Sequence, residues 1–168
     1  MKSASTSHLG FEMQKYTFDI GLLLPKATDN AFRGVKIAQY AFYLLTAVTV
    51  VRSCLHIFLP DGGSQSIANI PLDSYAEAAA DTVIYLFAVW GLSQLIIGFL
   101  YITVALRYRS LIPLMYLLMI FEYGMRLAIN HAKPIITLAT APGAVANYVI
   151  IPLAFILLVL SLITEKRT

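Results

Sequence analysis

The chain has 168 residues, enough for one compact bundle and too few for a membrane domain plus a second folded unit. Apolar residues make up 59% and charged residues 12%, about half the charged share of an ordinary soluble domain, which is the composition of a membrane protein. The net charge of +3 needs no nucleic-acid partner once topology is considered, and the single cysteine, Cys54, excludes an intrachain disulfide or a cysteine-based metal cluster.

In chain order, residues 1–33 read as a cytoplasmic segment. They carry Lys2, Glu12, Lys15, Asp19, Lys26 and Asp29, and their longest apolar run, Ile20–Leu24, is shorter than the about 7–15 residues of a signal-peptide core. No cleavable signal is expected, so the first span acts as the insertion signal. Tyr16-Thr17-Phe18 and Ile20–Leu24 are expected to touch lipid or a partner at the cytoplasmic interface, unless the segment is mobile. Four segments then reach the about 20 residues of a membrane helix. They are Val35–Leu59, Thr82–Leu106, Leu111–Ile129 and Val145–Ile163.

Breakers separate these segments. Pro60-Asp61-Gly62-Gly63 stops the first, and Arg107-Tyr108-Arg109-Ser110 turns the second into the third. Ser74-Tyr75-Ala76-Glu77 reads as a capping box that starts the second helix near Tyr75. Pro134 and Pro142-Gly143 mark the third connection. Pro113 falls in a first helical turn, where proline costs no hydrogen bond. Pro152 lies inside the fourth span and should bend it or free a carbonyl. The predicted fold is all-α: an antiparallel four-helix transmembrane bundle over residues 34–164, followed by a tail at 165–168.

Lys and Arg distribution gives the direction. One side holds Lys2, Lys15, Lys26, Arg33, Lys36, Arg107, Arg109, Lys166 and Arg167, whereas the other holds Lys133 with Asp61, Asp73, Glu77 and Asp81. The positive-inside rule places both termini in the cytoplasm and loops 60–81 and 130–144 outside.

Polar residues gather toward the outer side. Arg52 and Glu122 each precede the outer end of their span by seven residues, about 10 Å at helical rise, and Arg126 lies one turn beyond Glu122. His56 shares a helix face with Arg52. Asp73, Glu77 and Asp81 repeat at helical spacing, Tyr85 continues their stripe, and Asn130, His131, Asn147 and Tyr148 close the level. The inner half offers only Tyr101, Thr103 and Tyr116 on the second and third spans.

The candidate ligand-binding residues are Arg52, His56, Asp81, Tyr85, Glu122, Arg126 and Asn130. Two guanidiniums against one carboxylate leave donors for an anion or a carbonyl, as in a quinone, a lipid head group or a small anion. The same residues also fit a helix-internal ion pair with a snorkelling arginine. His56 and His131 can be read as axial haem ligands, although His131 beside Lys133-Pro134 suits interfacial hydrogen bonding better. Gly91 and Gly98 permit close helix contact, and Trp90 lies too deep to be a simple interface anchor. No nucleotide loop, metalloprotease helix or nucleophile elbow occurs, so no catalytic or metal-binding residue is assigned and the cofactor is left open.

The order of these features resembles the small DoxX-like four-helix membrane proteins of bacteria. The residues concerned are Val51-Arg52-Ser53, Trp90-Gly91-Leu92, and Glu122-Tyr123-Gly124-Met125-Arg126 running on to Lys133-Pro134. The resemblance implies the architecture and a bacterial inner-membrane location, some members being linked to quinone-coupled oxidoreductase complexes. Three function classes follow: a ligand-binding or accessory subunit of a membrane complex, an oligomeric channel or transporter, or an intramembrane enzyme using Glu122. The expected partners are the lipid bilayer, a quinone, lipid or small anion, and further copies of the chain or a larger membrane complex.

Overall fold

A computed structural model of the protein describes residues 16–165. Four helices dominate: α1 (Lys36–Phe58), α2 (Glu77–Arg107), α3 (Ile112–Ala132) and α4 (Pro142–Ser161). All four are long and apolar enough to cross a membrane. Leu44, Ile96, Phe99, Phe121 and Phe155 stand exposed along them, on faces that a water-soluble bundle would make polar.

Glycine sets the closest helix contact. Gly91 of α2 lies against Ser53 and His56 of α1, and Gly98 against Val50 and Thr49, so the two helices run antiparallel. A Cβ on Gly91 would stand 2.7 Å from the His56 Cβ, so only the missing side chain allows this approach. α3 packs along α4 without a glycine contact of this kind, while α2 and α3 touch only lightly. The core fills the space between the two pairs. Phe42 of α1 meets Tyr101 of α2 and Tyr116 of α3 edge-on, at 5.6 and 5.9 Å between ring centres. The buried Tyr116 hydroxyl donates to the Ala38 carbonyl at 2.5 Å.

Several boundaries differ from the sequence expectation. The capping box does not form: α2 starts at Glu77 behind Ala76 without a side-chain cap, because the Ser74 hydroxyl donates to the Pro71 carbonyl. Pro142 belongs to the first turn of α4, which ends at Ser161 because the chain then becomes a strand. Pro113 does lie in the first turn of α3, and Pro152 sits within a continuous α4.

The all-α expectation missed a small sheet. β1 (Tyr16–Phe18) pairs antiparallel with β2 (Ile163–Glu165), with Thr17 opposite Thr164. Residues 19–35 then fold onto the same end of the bundle. The Asp19 and Val35 amides donate to the Leu162 and Leu160 carbonyls at 2.9 and 3.0 Å. Ser110, in the α2–α3 turn, accepts the Asp29 amide on its hydroxyl and donates that hydroxyl to the Asp29 carbonyl, both at 3.0 Å. Arg109 Nε donates to Asn30 Oδ1 at 2.8 Å. Hydrogen bonds from Arg33 and from the Ala31 amide hold the Asp29 carboxyl below its ordinary range. Tyr16, Phe18, Ile20 and Leu24 stay exposed, while Phe32 is buried. Residues 1–15 and 166–168 lie outside the described residues, and with them Lys2, Lys15, Lys166 and Arg167.

The opposite end is capped by loop 59–76. The Asp61 carboxylate accepts the amides of Gly63, Gln65 and Ser66 at 2.9, 3.1 and 2.6 Å. Gly62, Gly63 and Asn69 adopt positive φ to close the turns. The Leu138 amide donates to the Asn69 carbonyl at 2.8 Å, which ties this loop to the α3–α4 connection.

Candidate functional site

Three helices each contribute polar side chains to one layer. Arg52 of α1 donates from Nη1 to the Tyr123 hydroxyl at 3.0 Å and from Nη2 to Gln94 Oε1 at 2.8 Å. Gln94 of α2 passes the contact on, donating from Nε2 to Glu122 Oε1 at 3.0 Å. Arg126, one turn along α3, pairs with the same carboxylate oxygen. Its guanidinium also lies 5.0 Å from the Trp90 ring centre and 5.1 Å from that of Tyr123. An amide is the side chain that can join a cation to an anion, since its oxygen accepts while its nitrogen donates.

This arrangement changes two sequence expectations. The two guanidiniums do not converge on Glu122, because Gln94 stands between Arg52 and the carboxylate. Glu122 also lies ten residues from either end of α3, about 15 Å, so it sits at the middle of its helix rather than in the outer half. The shift arises because α3 continues past Ile129 to Ala132.

The other candidates divide by environment. His56 is buried and touches the layer only through the Trp90 ring: Nδ1 donates to the Gly62 carbonyl at 2.8 Å, and the imidazole packs beside Phe87 and Trp90 without a hydrogen bond to Arg52, Gln94, Glu122 or Arg126. It anchors the loop. His131 instead donates from Nδ1 to the Leu127 carbonyl of its own helix, which leaves the haem reading without geometry. Asp81, Tyr85 and Asn130 are exposed, and among the described residues their side chains join no hydrogen bond. Gln94, Tyr123 and Trp90 complete the layer although sequence reasoning did not select them. The depth of Trp90 and the position of Tyr123 next to Glu122 were the available signals.

A cavity of about 30 Å³ adjoins the layer, lined by Arg52, Tyr101, Glu122 and Tyr123 and by apolar side chains such as Met119 and Ile150. That is room for one water-sized guest. Arg52 Nε is buried and has no partner among the described residues. The layer therefore carries two formal positive charges against one negative, together with a buried donor that has no acceptor. No family model, curated protein or solved structure matches the chain.

Proposed function

We propose that this chain is a multi-pass membrane protein that binds a small anionic or carbonyl-bearing ligand at the Arg52–Gln94–Glu122–Arg126 layer. The ligand is a quinone, a lipid head group or a small anion, and the protein serves as a ligand-binding or accessory subunit of a membrane complex. Both termini face the cytoplasm, following the Lys and Arg distribution. A bacterial inner-membrane location follows from the DoxX-like resemblance.

One observation carries this reading: the layer sets two guanidiniums against one carboxylate, Arg126 pairing with Glu122 while Arg52 reaches it only through Gln94. An uncompensated cation there is costly, and a ligand with acceptor atoms lowers that cost. The Arg126 and Glu122 side chains keep 20% and 23% exposure, beside the light contact of α2 with α3. A ligand too large for the cavity meets the layer from this side, the approach open to a molecule dissolved in lipid.

The test is to purify the full chain in mild detergent and identify co-purifying lipids and quinones by mass spectrometry. A stoichiometric ligand that is depleted in Arg126→Met is expected. Equal lipid and quinone content in wild type and variant, with nothing near one equivalent, would refute the larger-ligand reading.

A further inference from the structure

We infer that the inner cavity of this layer is a binding site for one monovalent anion of halide size, held by Arg52 Nε and the hydroxyls of Tyr101 and Tyr123. This rests on reading the layer as a ligand site and names the guest of its innermost part. Three donors around the cavity have no acceptor among the described residues. Arg52 Nε is buried and unpartnered. The Tyr123 hydroxyl accepts from Arg52 Nη1, so its own proton is free to turn to another acceptor. Tyr101 is 3% exposed and lines the same cavity, and its hydroxyl joins no hydrogen bond among the described residues. A guest that only accepts satisfies all three.

Size and charge choose among acceptors. A cavity of about 30 Å³ holds one water or one monatomic ion, not a phosphate or a quinone ring. A water would leave the layer with its surplus positive charge, whereas a halide cancels it. Glu122 opposes the anion from the same cavity, but its Oε1 is already engaged by Gln94 and Arg126, and Arg52 has no carboxylate of its own.

The experiment uses the full chain in detergent at fixed ionic strength, with sodium chloride or bromide exchanged for sodium gluconate, whose anion is too large for the cavity. The melting temperature should rise by roughly 3–5 °C per tenfold increase in halide above its dissociation constant. Tyr101→Phe should lose most of that rise, and Tyr148→Phe, at an exposed position, should keep it. Bromide-soaked crystals of the wild type should show anomalous density within hydrogen-bond distance of Arg52 Nε. Equal melting in chloride and gluconate, or a wild-type cavity without bromide, overturns the assignment in favour of water, whether or not the variants fold. A halide-insensitive protein that still co-purifies a quinone would leave the proposed function standing. A halide-sensitive protein with no organic ligand would retain the cavity site and remove the larger ligand.

Discussion

Replacing Glu122 with glutamine preserves the side-chain shape and an acceptor for Gln94 while removing the only negative charge of the layer. The formal sum over Arg52, Glu122 and Arg126 rises from +1 to +2, and Arg126 loses its ion-pair partner. Breaking a buried pair from one side costs about 3–5 kcal/mol. With side chains 20% and 23% exposed, the lower end applies, about 3 kcal/mol. Arg126→Met alone brings the sum to zero and forfeits the contacts with the Trp90 and Tyr123 rings, a loss of about 1–2 kcal/mol in total. The double variant returns the sum to +1, and its expected cost is about 2 kcal/mol rather than the additive 4–5. That difference is a coupling of roughly 2–3 kcal/mol, within the range for directly interacting residues. Unfolding of all four proteins in one detergent measures the cycle. A Glu122→Gln cost below about 0.5 kcal/mol, or additivity within that margin, would refute the charge argument.

Gly91→Ala should destabilise by about 1–3 kcal/mol, because its Cβ would press on His56, whereas Gly124→Ala meets nothing within 4 Å and should be neutral or stabilising by up to about 1 kcal/mol. Equal melting temperatures for the two variants would contradict the close α1–α2 contact. Burial alone would raise the Asp61 carboxyl, but the amides and hydroxyl it binds at Ser66, with the Gly63 and Gln65 amides, outweigh this and hold it below its ordinary 3.8. Its support for the loop is therefore complete above that value and is lost as pH falls through the lower folded one. Hydrogen exchange at residues 63–66, corrected for intrinsic rate, should stay slow from neutral pH down to about pH 4 and quicken below it. Asp61→Ala should exchange quickly throughout, and slow exchange in that variant would disprove the anchor. In a Cys54→Ala background, a membrane-impermeant maleimide on intact cells should label Ser66→Cys, and Ala27→Cys only after permeabilisation. Labelling of both from one side would break the topology.

The helices were legible because apolar runs and Pro or Gly breakers are local signals, and so was the Glu122–Arg126 pair, set by its spacing on one helix. Arg52 was legible because its depth could be counted. Gln94 was not, since an uncharged side chain becomes a bridge only through the rotation of α2, which no polar stripe specifies. The Asp81 and Tyr85 spacing correctly puts two residues on one face, but spacing does not say whether that face meets the bundle; here it is exposed. Ser74 carries a capping motif, yet its hydroxyl finds the Pro71 carbonyl first. β1 and β2, three residues each, are too short to show a period, and they meet only after the bundle brings opposite ends of the described chain together.

That strand pair joins the earliest and latest parts of the described chain in order of synthesis. When β1 leaves the ribosome, its partner is still four helices away. Until α4 has been delivered, the Asp19 and Val35 amides lack the Leu162 and Leu160 carbonyls, and Gly34 lacks the Ser161 backbone against which it fits. Closing so long a loop is entropically costly and slow compared with forming a helix hairpin. A chain that lacks α4 therefore leaves the backbone of residues 19–35 without these partners, and the strand pair can close only once the last of the four described helices is in place.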